Sequence, residues 1–317
     1  MTLSPTQVGK WANACLTLGN EVVDSDGFVP VRGLLSRFDA QLELRPLLVE
    51  AMLCESTDSR DPTARAARWR LLVDSEKYPL TTAQVSTESA AVPLPARFRN
   101  TIAHELTHSL AFRAKEFGVD LTIPMQRCKG ASKEVVEEIE RRTEDLSPLL
   151  LAPDTAIERC FPATLAQLSI SDLLKARRRL GVSRFVLIQR LNLMRHYGND
   201  RLIERPCFSN VAVGVGAWTR DGHTVLKGWP LFAQFMGGEQ PSFLHAMRRN
   251  RGLHSSSLTT EKSFVLNGGP ASSITLEIAF GTEKSAGRTA RAVRLSVETT
   301  RKTGGSFFFI VLADSAL

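Results

Sequence analysis

The chain has 317 residues, of which 43% are hydrophobic and 23% charged, and its formal net charge is +7. That composition is typical of an ordinary globular protein, and no apolar run approaches the roughly 18 residues that a membrane-spanning helix needs. We therefore expect no transmembrane segment, and at this length we expect two domains with separate cores.

The N-terminus and the cysteines indicate a reducing compartment. The first residues lack the basic start, apolar stretch and small-residue cleavage site of a secretory signal. The five cysteines are scattered and form no CxxC pair, which argues against a disulfide framework and against a cysteine-rich zinc finger. We expect a cytoplasmic protein with reduced thiols.

The positive charge belongs to the second half of the chain. Residues 1–160 contain 19 Lys or Arg and 23 Asp or Glu, a balance of −4, whereas residues 161–317 contain 21 and 10, a balance of +11. An excess of this kind favours an anionic partner such as nucleic acid, and a basic solvent-exposed surface is the plain alternative.

Periodicity predicts helices in the first half of the chain. Residues 4–20 and 31–40 have helical apolar spacing, and "RWRLLVDSE" at 68–76 predicts a short strand. A longer helix is expected from Ala96 to Phe117, because Pro93 and Pro95 precede it and Gly118 follows. A glutamate-rich helix is expected from Ser132 to Leu151, ended by Pro153.

The pattern changes near residues 195–207. Residues 169–194 predict two short helices around "LGVS", and strand composition follows Pro206. Four segments there are rich in β-branched and aromatic residues: 211–218, 273–280, 290–298 and 306–313. We therefore place the domain boundary near residues 195–207.

The segment "RNTIAHELTHSLAF" contains HExxH. On a helix, His104 and His108 lie one turn apart on one face and can reach a single ion, while Glu105 lies beside the open coordination position. A catalytic zinc takes three protein ligands and keeps a fourth position for water, which Glu105 would deprotonate as the general base. The alternative is a pair of helical histidines without metal. We favour the metal site, because the buried stripe expected on this helix leaves both histidines on the opposite side.

A third ligand has to come from elsewhere, since no HExxHxxGxxH extension follows His108. The next helix offers several carboxylates, most of which must be solvated surface charge. Spacing alone does not choose among them: Glu134, Glu137, Glu138, Glu140, Glu144 and Asp145.

"FRNTIAHELTHSLAF", "EIERRTEDLSPLLLAP" and "LGVSRFVLIQRL" together resemble the IrrE/ImmA family of HExxH metallopeptidases over residues 5–195. The resemblance implies Zn²⁺ as cofactor and Glu140 as third ligand, because the family's glutamate stands thirteen residues before the proline that matches Pro153. The chain departs from the family at Thr143 and Glu144, where Ala-Asn is common, and at Ala152 in place of Met. Glu144 is a candidate for orienting a histidine N–H, with simple solvent exposure as the alternative.

Cys128 lies between the two metal-bearing helices. A thiolate delivered from that position could occupy the fourth site on the metal and keep the enzyme latent. The alternative is a cysteine without a role.

The basic segments suggest nucleic acid. "KARRRLGVSR" at 175–184 has a helix–turn–helix cadence, which favours a duplex reader, whereas the family resemblance implies a helical pair packed on the peptidase domain. Three later segments interleave Arg and Lys with aromatics such as Trp218, Trp229 and Phe243, a pattern that suits single-stranded DNA and equally suits core packing. The candidate nucleic-acid contacts are Arg248, Arg249, Arg251, Arg288, Arg291 and Lys302.

The resemblance extends to the domain plan, which is similar to that of the CapP peptidases of antiphage CBASS operons. It implies an α+β protein: a mostly helical zincin-like domain with a small sheet (1–165), a helix–turn–helix-like segment (166–203) and an α/β GAF-like sensor domain (204–317). It also implies cleavage of a partner helix–turn–helix repressor when the C-terminal domain senses DNA damage, with single-stranded DNA as the expected activator.

Two other readings of the sequence remain open. One is a DNA-binding regulator with a structural zinc site and no proteolysis. The other is a general peptide-degrading enzyme. Glu105 distinguishes the regulator from a peptidase, because a structural zinc site is closed by four ligands and needs no general base.

Overall fold

The structure is a computed structural model that describes residues 3–55, 68–117, 133–197, 202, 204–208, 211–218, 224–229, 272–277, 292–297 and 306–312. None of the helices it describes combines the length and apolarity needed to cross a membrane.

The chain divides into two compact units. The first comprises Met1–Cys160 and Ala176–Leu187, and the second comprises Phe161–Lys175 and Ile188–Leu317. The helical segment expected over 166–203 therefore contributes residues to both units.

The first helix supports the core of the first unit. α1 (Pro5–Val22) begins with a capping box, in which the Ser4 hydroxyl accepts from the Gln7 backbone N–H and the Gln7 side chain accepts from the Ser4 N–H. It packs against α5 (Lys133–Leu151). A Cβ at Gly19 would lie 2.8 Å from the Leu150 carbonyl oxygen, so glycine permits the close approach of the two helices.

A three-stranded sheet follows the short helix α2 (Val31–Arg37). Its order is β1 (Ala40–Arg45), β3 (Trp69–Asp74), β2 (Ala51–Glu55). β1 runs parallel to β3 and β2 runs antiparallel to it. Among the described residues β2 pairs only with β3 and is therefore an edge strand. The predicted strand at 68–76 is confirmed, whereas sequence analysis missed β1 and β2.

The two helices of the HExxH region have the predicted bounds within a few residues. A short helix, α3 (Thr82–Ser86), precedes α4 (Ala96–Arg113), which continues as a 3₁₀ turn to Phe117. α5 ends at Leu151, and the unpredicted helix α6 (Asp154–Cys160) follows Pro153.

The predicted helix pair around "LGVS" is confirmed as α7 (Ile170–Leu180) and α8 (Arg184–Tyr197). Gly181 ends α7 with φ +62°, and the N–H groups of Gly181 and Val182 bond back to the carbonyls of Arg178 and Arg177. A left-handed glycine with such bonds is a common way to end a helix.

The second unit contains a five-stranded antiparallel sheet of order β5-β4-β8-β7-β6. Its strands are β4 (Val211–Trp218), β5 (Thr224–Trp229), β6 (Ser272–Glu277), β7 (Ala292–Val297) and β8 (Ser306–Leu312). The four predicted strands are present and β5 is additional. With a mostly helical first part and a small sheet, the described chain is α+β.

Candidate metal centre

α4 presents the HExxH residues on a surface face because its opposite side is buried. Phe98, Ile102, Leu106 and Leu110 are fully buried, as their spacing predicts. His104, Glu105 and His108 are half-buried on the other side. Behind them, the buried Trp11 of α1 donates its indole N–H to the Thr107 carbonyl oxygen at 3.1 Å.

The structure brings the Glu140 carboxylate to both imidazoles. Its Oε1 lies 2.7 Å from His108 Nε2, and its Oε2 lies 3.4 Å from His104 Nε2. The charge of Glu144 also acts on His104.

Three of the other carboxylates of α5 that spacing left open form ion pairs on the helix. Glu138 accepts from Arg141 and Arg142, Glu137 lies 3.5 Å from Lys133, and Asp145 lies 3.7 Å from Arg141. These contacts leave Glu140 as the carboxylate of this run that contacts both histidines among the described residues.

The chemistry of the donor set suits zinc, but the three side chains are not placed as ligands around an ion. Two His and one Glu are a known catalytic ligand set, and two ligands of one tetrahedral zinc stand about 3.3 Å apart. The His104–Glu140 separation matches that value, whereas the His108–Glu140 hydrogen bond is shorter. Within the described residues, no group of three or more His, Cys, Asp or Glu side chains is arranged so that it could hold a metal ion as it stands. Rotation of the Glu140 carboxylate, on a side chain that is 49% exposed, would open the short contact.

Electrostatics keep His104 in the form that a metal requires. Burial lowers the pKa of His104, and the neighbouring His108 lowers it further, while the carboxylates of Glu140 and Glu144 act in the opposite direction. The net shift is downward, which favours the neutral imidazole, and only that form has a lone pair for a cation.

Glu105 lies beside the histidines in a poorly solvated position. Burial raises its pKa to about 7 and the charge of Glu140 adds to the effect, while His108 and a hydrogen bond from the Leu53 backbone N–H oppose it. A divalent cation nearby would lower this pKa, because positive charge favours the carboxylate.

The Leu53 bond places the edge strand β2 against the site. A second link is made by Glu50, just before β2, which accepts from Arg97 (3.2 and 3.1 Å) and from the Thr101 hydroxyl (2.8 Å). Lys77 and the Tyr78 hydroxyl also donate to Glu50. Glu50 thus anchors the start of β2 to the first turns of α4.

A buried ion pair anchors the start of α4 from the other side. Arg99 is fully buried and pairs with Glu88, which also accepts from the Val31 backbone N–H at 2.6 Å. Arg99 further donates to the carbonyls of Val29 (2.9 Å) and Leu180 (3.3 Å). This pair joins α4 to the turn that ends α7.

The C-terminal end of the site is apolar. The ring of Phe112 stacks on His108 with centroids 5.7 Å apart, and it is 49% exposed. Val136, one turn before Glu140 on α5, is 40% exposed. Phe112 thus follows His108 by one turn on α4, and Val136 precedes Glu140, the partner of His108, by one turn on α5.

The remaining predicted residues have separate outcomes. Glu144 is exposed, as the alternative expected, and its charge acts on His104. Cys128 and the six basic candidates, Arg248, Arg249, Arg251, Arg288, Arg291 and Lys302, lie outside the described residues. Leu53 and Glu50 were not predicted, because the sequence pattern of β2 is weak, and Arg99 was not predicted, because its partners are distant in sequence.

Comparisons with known proteins do not identify the site. No protein-family model matches the sequence, and no curated protein matches it. Among solved structures, the chain is similar to a Mycobacterium tuberculosis transcriptional regulator, with 12% identity and a TM-score of 0.46 over 98% of this chain and 80% of that one.

Proposed function

We propose that the protein is a zinc-dependent endopeptidase whose metal is held by His104, His108 and Glu140 and whose general base is Glu105. The observation that carries the proposal is the contact of one Glu140 carboxylate with the Nε2 atoms of both histidines of an HExxH helix. The base lies on the same face of α4, half-buried beside them.

Each side chain has a distinct task in this proposal. When bound, zinc lowers the pKa of a coordinated water and polarises the carbonyl that is to be cleaved. Glu105 takes the proton of the water and passes it to the leaving amine. The Leu53 N–H donates to the Glu105 carboxylate, Glu140 holds the metal together with the two histidines, and the Glu144 charge acts on His104.

The edge strand supports a peptide as the substrate. Leu53 directs its N–H towards Glu105 and therefore away from β3. Alternate residues of a strand share this orientation, so Ala51 and Glu55 also present backbone groups at the outer edge of β2. An extended peptide that pairs with this edge would lie beside Glu105 and the histidines.

We extend the proposal to the substrate and its signal. The substrate is a partner helix–turn–helix repressor in the cytoplasm, cleaved when single-stranded DNA reaches a GAF-like C-terminal domain, so that a defence or stress operon is derepressed. The excess of +11 over residues 161–317 supports an anionic activator, and the five-stranded antiparallel sheet is compatible with a GAF-like domain.

The test uses the full-length protein, zinc and the helix–turn–helix protein encoded beside it, with and without a single-stranded oligonucleotide. We expect one discrete cut by the wild type and none by Glu105→Gln, which keeps zinc. The control Glu137→Gln removes an exposed carboxylate of α5 that pairs with Lys133 and should cut normally. Wild-type protein that binds zinc and cuts nothing, or a Glu105→Gln variant that cuts equally well, would overturn the proposal.

The regulator alternative predicts a different result for the same variant. With a structural zinc site, Glu105→Gln would bind DNA and control a reporter as the wild type does. The half-buried carboxylate beside the histidines favours the peptidase, because a closed structural site has no use for a base. Many cuts in unrelated proteins would instead indicate a general peptide-degrading enzyme.

A further inference from the structure

The face of α4 that carries the site has chemically different ends. At its N-terminal end Arg97 and Lys77 share the carboxylate of Glu50, and the Arg97 side chain is 70% exposed. At its C-terminal end lies the exposed Phe112, and the exposed Val136 stands on α5 one turn before Glu140, the partner of His108. The HExxH residues stand between them.

The edge strand runs along this face in the same direction as α4. Glu50 contacts Arg97 and Thr101, and Leu53, three residues later, contacts Glu105. From Glu50 to Leu53 the strand advances by about 10 Å. The midpoint of Arg97 and Thr101 lies six residues before Glu105, which is about 9 Å along a helix, so the two lengths agree. A peptide paired with β2 would therefore pass both ends of the face.

Arg97 does not use all of its N–H donors on Glu50. It donates from Nε and Nη2, while an arginine fork carries five N–H donors. The exposed guanidinium can therefore also receive a carboxylate from a peptide. The N-terminal end also has exposed apolar residues, Leu48 and Val49, just before Glu50. The cations of Arg97 and Lys77 are therefore what distinguishes it from the C-terminal end.

We infer, on the basis of the proposed peptidase function, that the site selects peptides with an acidic residue towards Arg97 and a large apolar residue towards Phe112 and Val136. Along α4 the two ends are about 22 Å apart, which an extended peptide covers in roughly seven residues. Because long side chains shorten the span, the two selected residues stand roughly five to seven positions apart, with the cleaved bond between them.

The experiment measures peptide binding to the full-length, zinc-loaded Glu105→Gln protein, so that the outcome does not depend on turnover. The probes are fluorescein-labelled 12-residue peptides of Ala, Gly and Ser with Leu and Glu six positions apart, in both orders. Matched probes replace Glu with Lys or Leu with Ser. We expect one order to bind about fivefold tighter than its Lys probe and about tenfold tighter than its Ser probe.

Variants assign each preference to an end of the face. Adding Arg97→Gln should remove the preference for Glu over Lys and leave that for Leu over Ser, whereas Val136→Asp should do the reverse. Arg32→Gln, an exposed arginine of α2, is the control and should retain both preferences. Zinc content, measured for every variant, confirms that the metal site is intact.

The outcomes separate this inference from the proposed function. Equal affinity for Glu and Lys probes in both orders, or no binding of any probe, overturns the inference. So does an Arg97→Gln protein that keeps the preference for Glu. If the wild type cuts its partner at a bond without both flanking residues, the selectivity is wrong while the peptidase function stands.

Discussion

Arg99 and Glu88 form a fully buried ion pair at the start of the helix that carries the HExxH residues. Removing one member of a buried pair leaves an uncompensated charge in the core. We expect Arg99→Leu to lower the free energy of unfolding by about 3–5 kcal/mol, measured by urea denaturation.

The matched control is Arg37→Leu, because the Arg37–Glu21 pair is about 40% exposed on both sides. Its cost should stay below about 1 kcal/mol. Equal losses for the two variants would contradict a special role for the buried pair.

Gly181 tests the contact between the α7–α8 turn and α4. Its φ is +62°, and a Cβ there would lie 2.9 Å from the Phe28 ring, 3.1 Å from Pro93 and 3.2 Å from Arg99 Nε. We expect Gly181→Ala to destabilise the protein by about 1–3 kcal/mol. Gly9→Ala is the control, because a Cβ at this position in α1 meets no atom within 4 Å, and it should stabilise the helix by about 0.5–1 kcal/mol.

Glu50 should make stability depend on acid pH. Burial alone would raise its pKa, but hydrogen bonds from Lys77, Tyr78, Arg97 and Thr101 outweigh burial and lower it from 4.5 to about 2. A lowered pKa contributes stability that is present above pH 4.5 and is lost as the pH falls towards 2.

The measurement compares the wild type with Glu50→Gln by urea unfolding between pH 7 and pH 3. The wild type should be more stable by at most about 3 kcal/mol at pH 7, and the difference should shrink below pH 4.5. A difference that stays constant down to pH 3 would show that Glu50 does not titrate as described.

Zinc should stabilise the protein through Glu140. At a free zinc concentration one hundred times the dissociation constant, binding adds about 2.7 kcal/mol, or about 5–10 °C in melting temperature. Glu140→Gln should lose most of this shift, while Glu137→Gln, an exposed neighbour on α5, should keep it. A Glu140→Gln protein with the full zinc-induced shift would remove Glu140 from the ligand set.

Helical periodicity predicted which side of α4 is buried, because that side is set by the spacing of apolar residues along the helix. Phe98, Ile102, Leu106 and Leu110 recur every four residues, and all four are buried. Spacing could not select Glu140, because the six acids of that region look alike in sequence and only the packing of α5 on α4 separates them.

The strands next to the site were harder to predict for a physical reason. β1 and β2 have six and five residues, and β2 has no fully buried residue, so the alternation that marks a half-buried strand is weak. The contacts of Arg99 could not be predicted either, because its partners are Glu88 and the Leu180 carbonyl in a turn 81 residues later. Contacts at such separations leave no local pattern.

Trp11 gives the molecule a built-in optical reporter. Its indole is shielded from solvent and hydrogen-bonded to the Thr107 carbonyl, directly behind His108. Any rearrangement of α4 on metal loading or peptide capture would alter the surroundings of this ring. In a variant whose other three tryptophans are replaced by phenylalanine, its emission can therefore follow events at the site without an added dye.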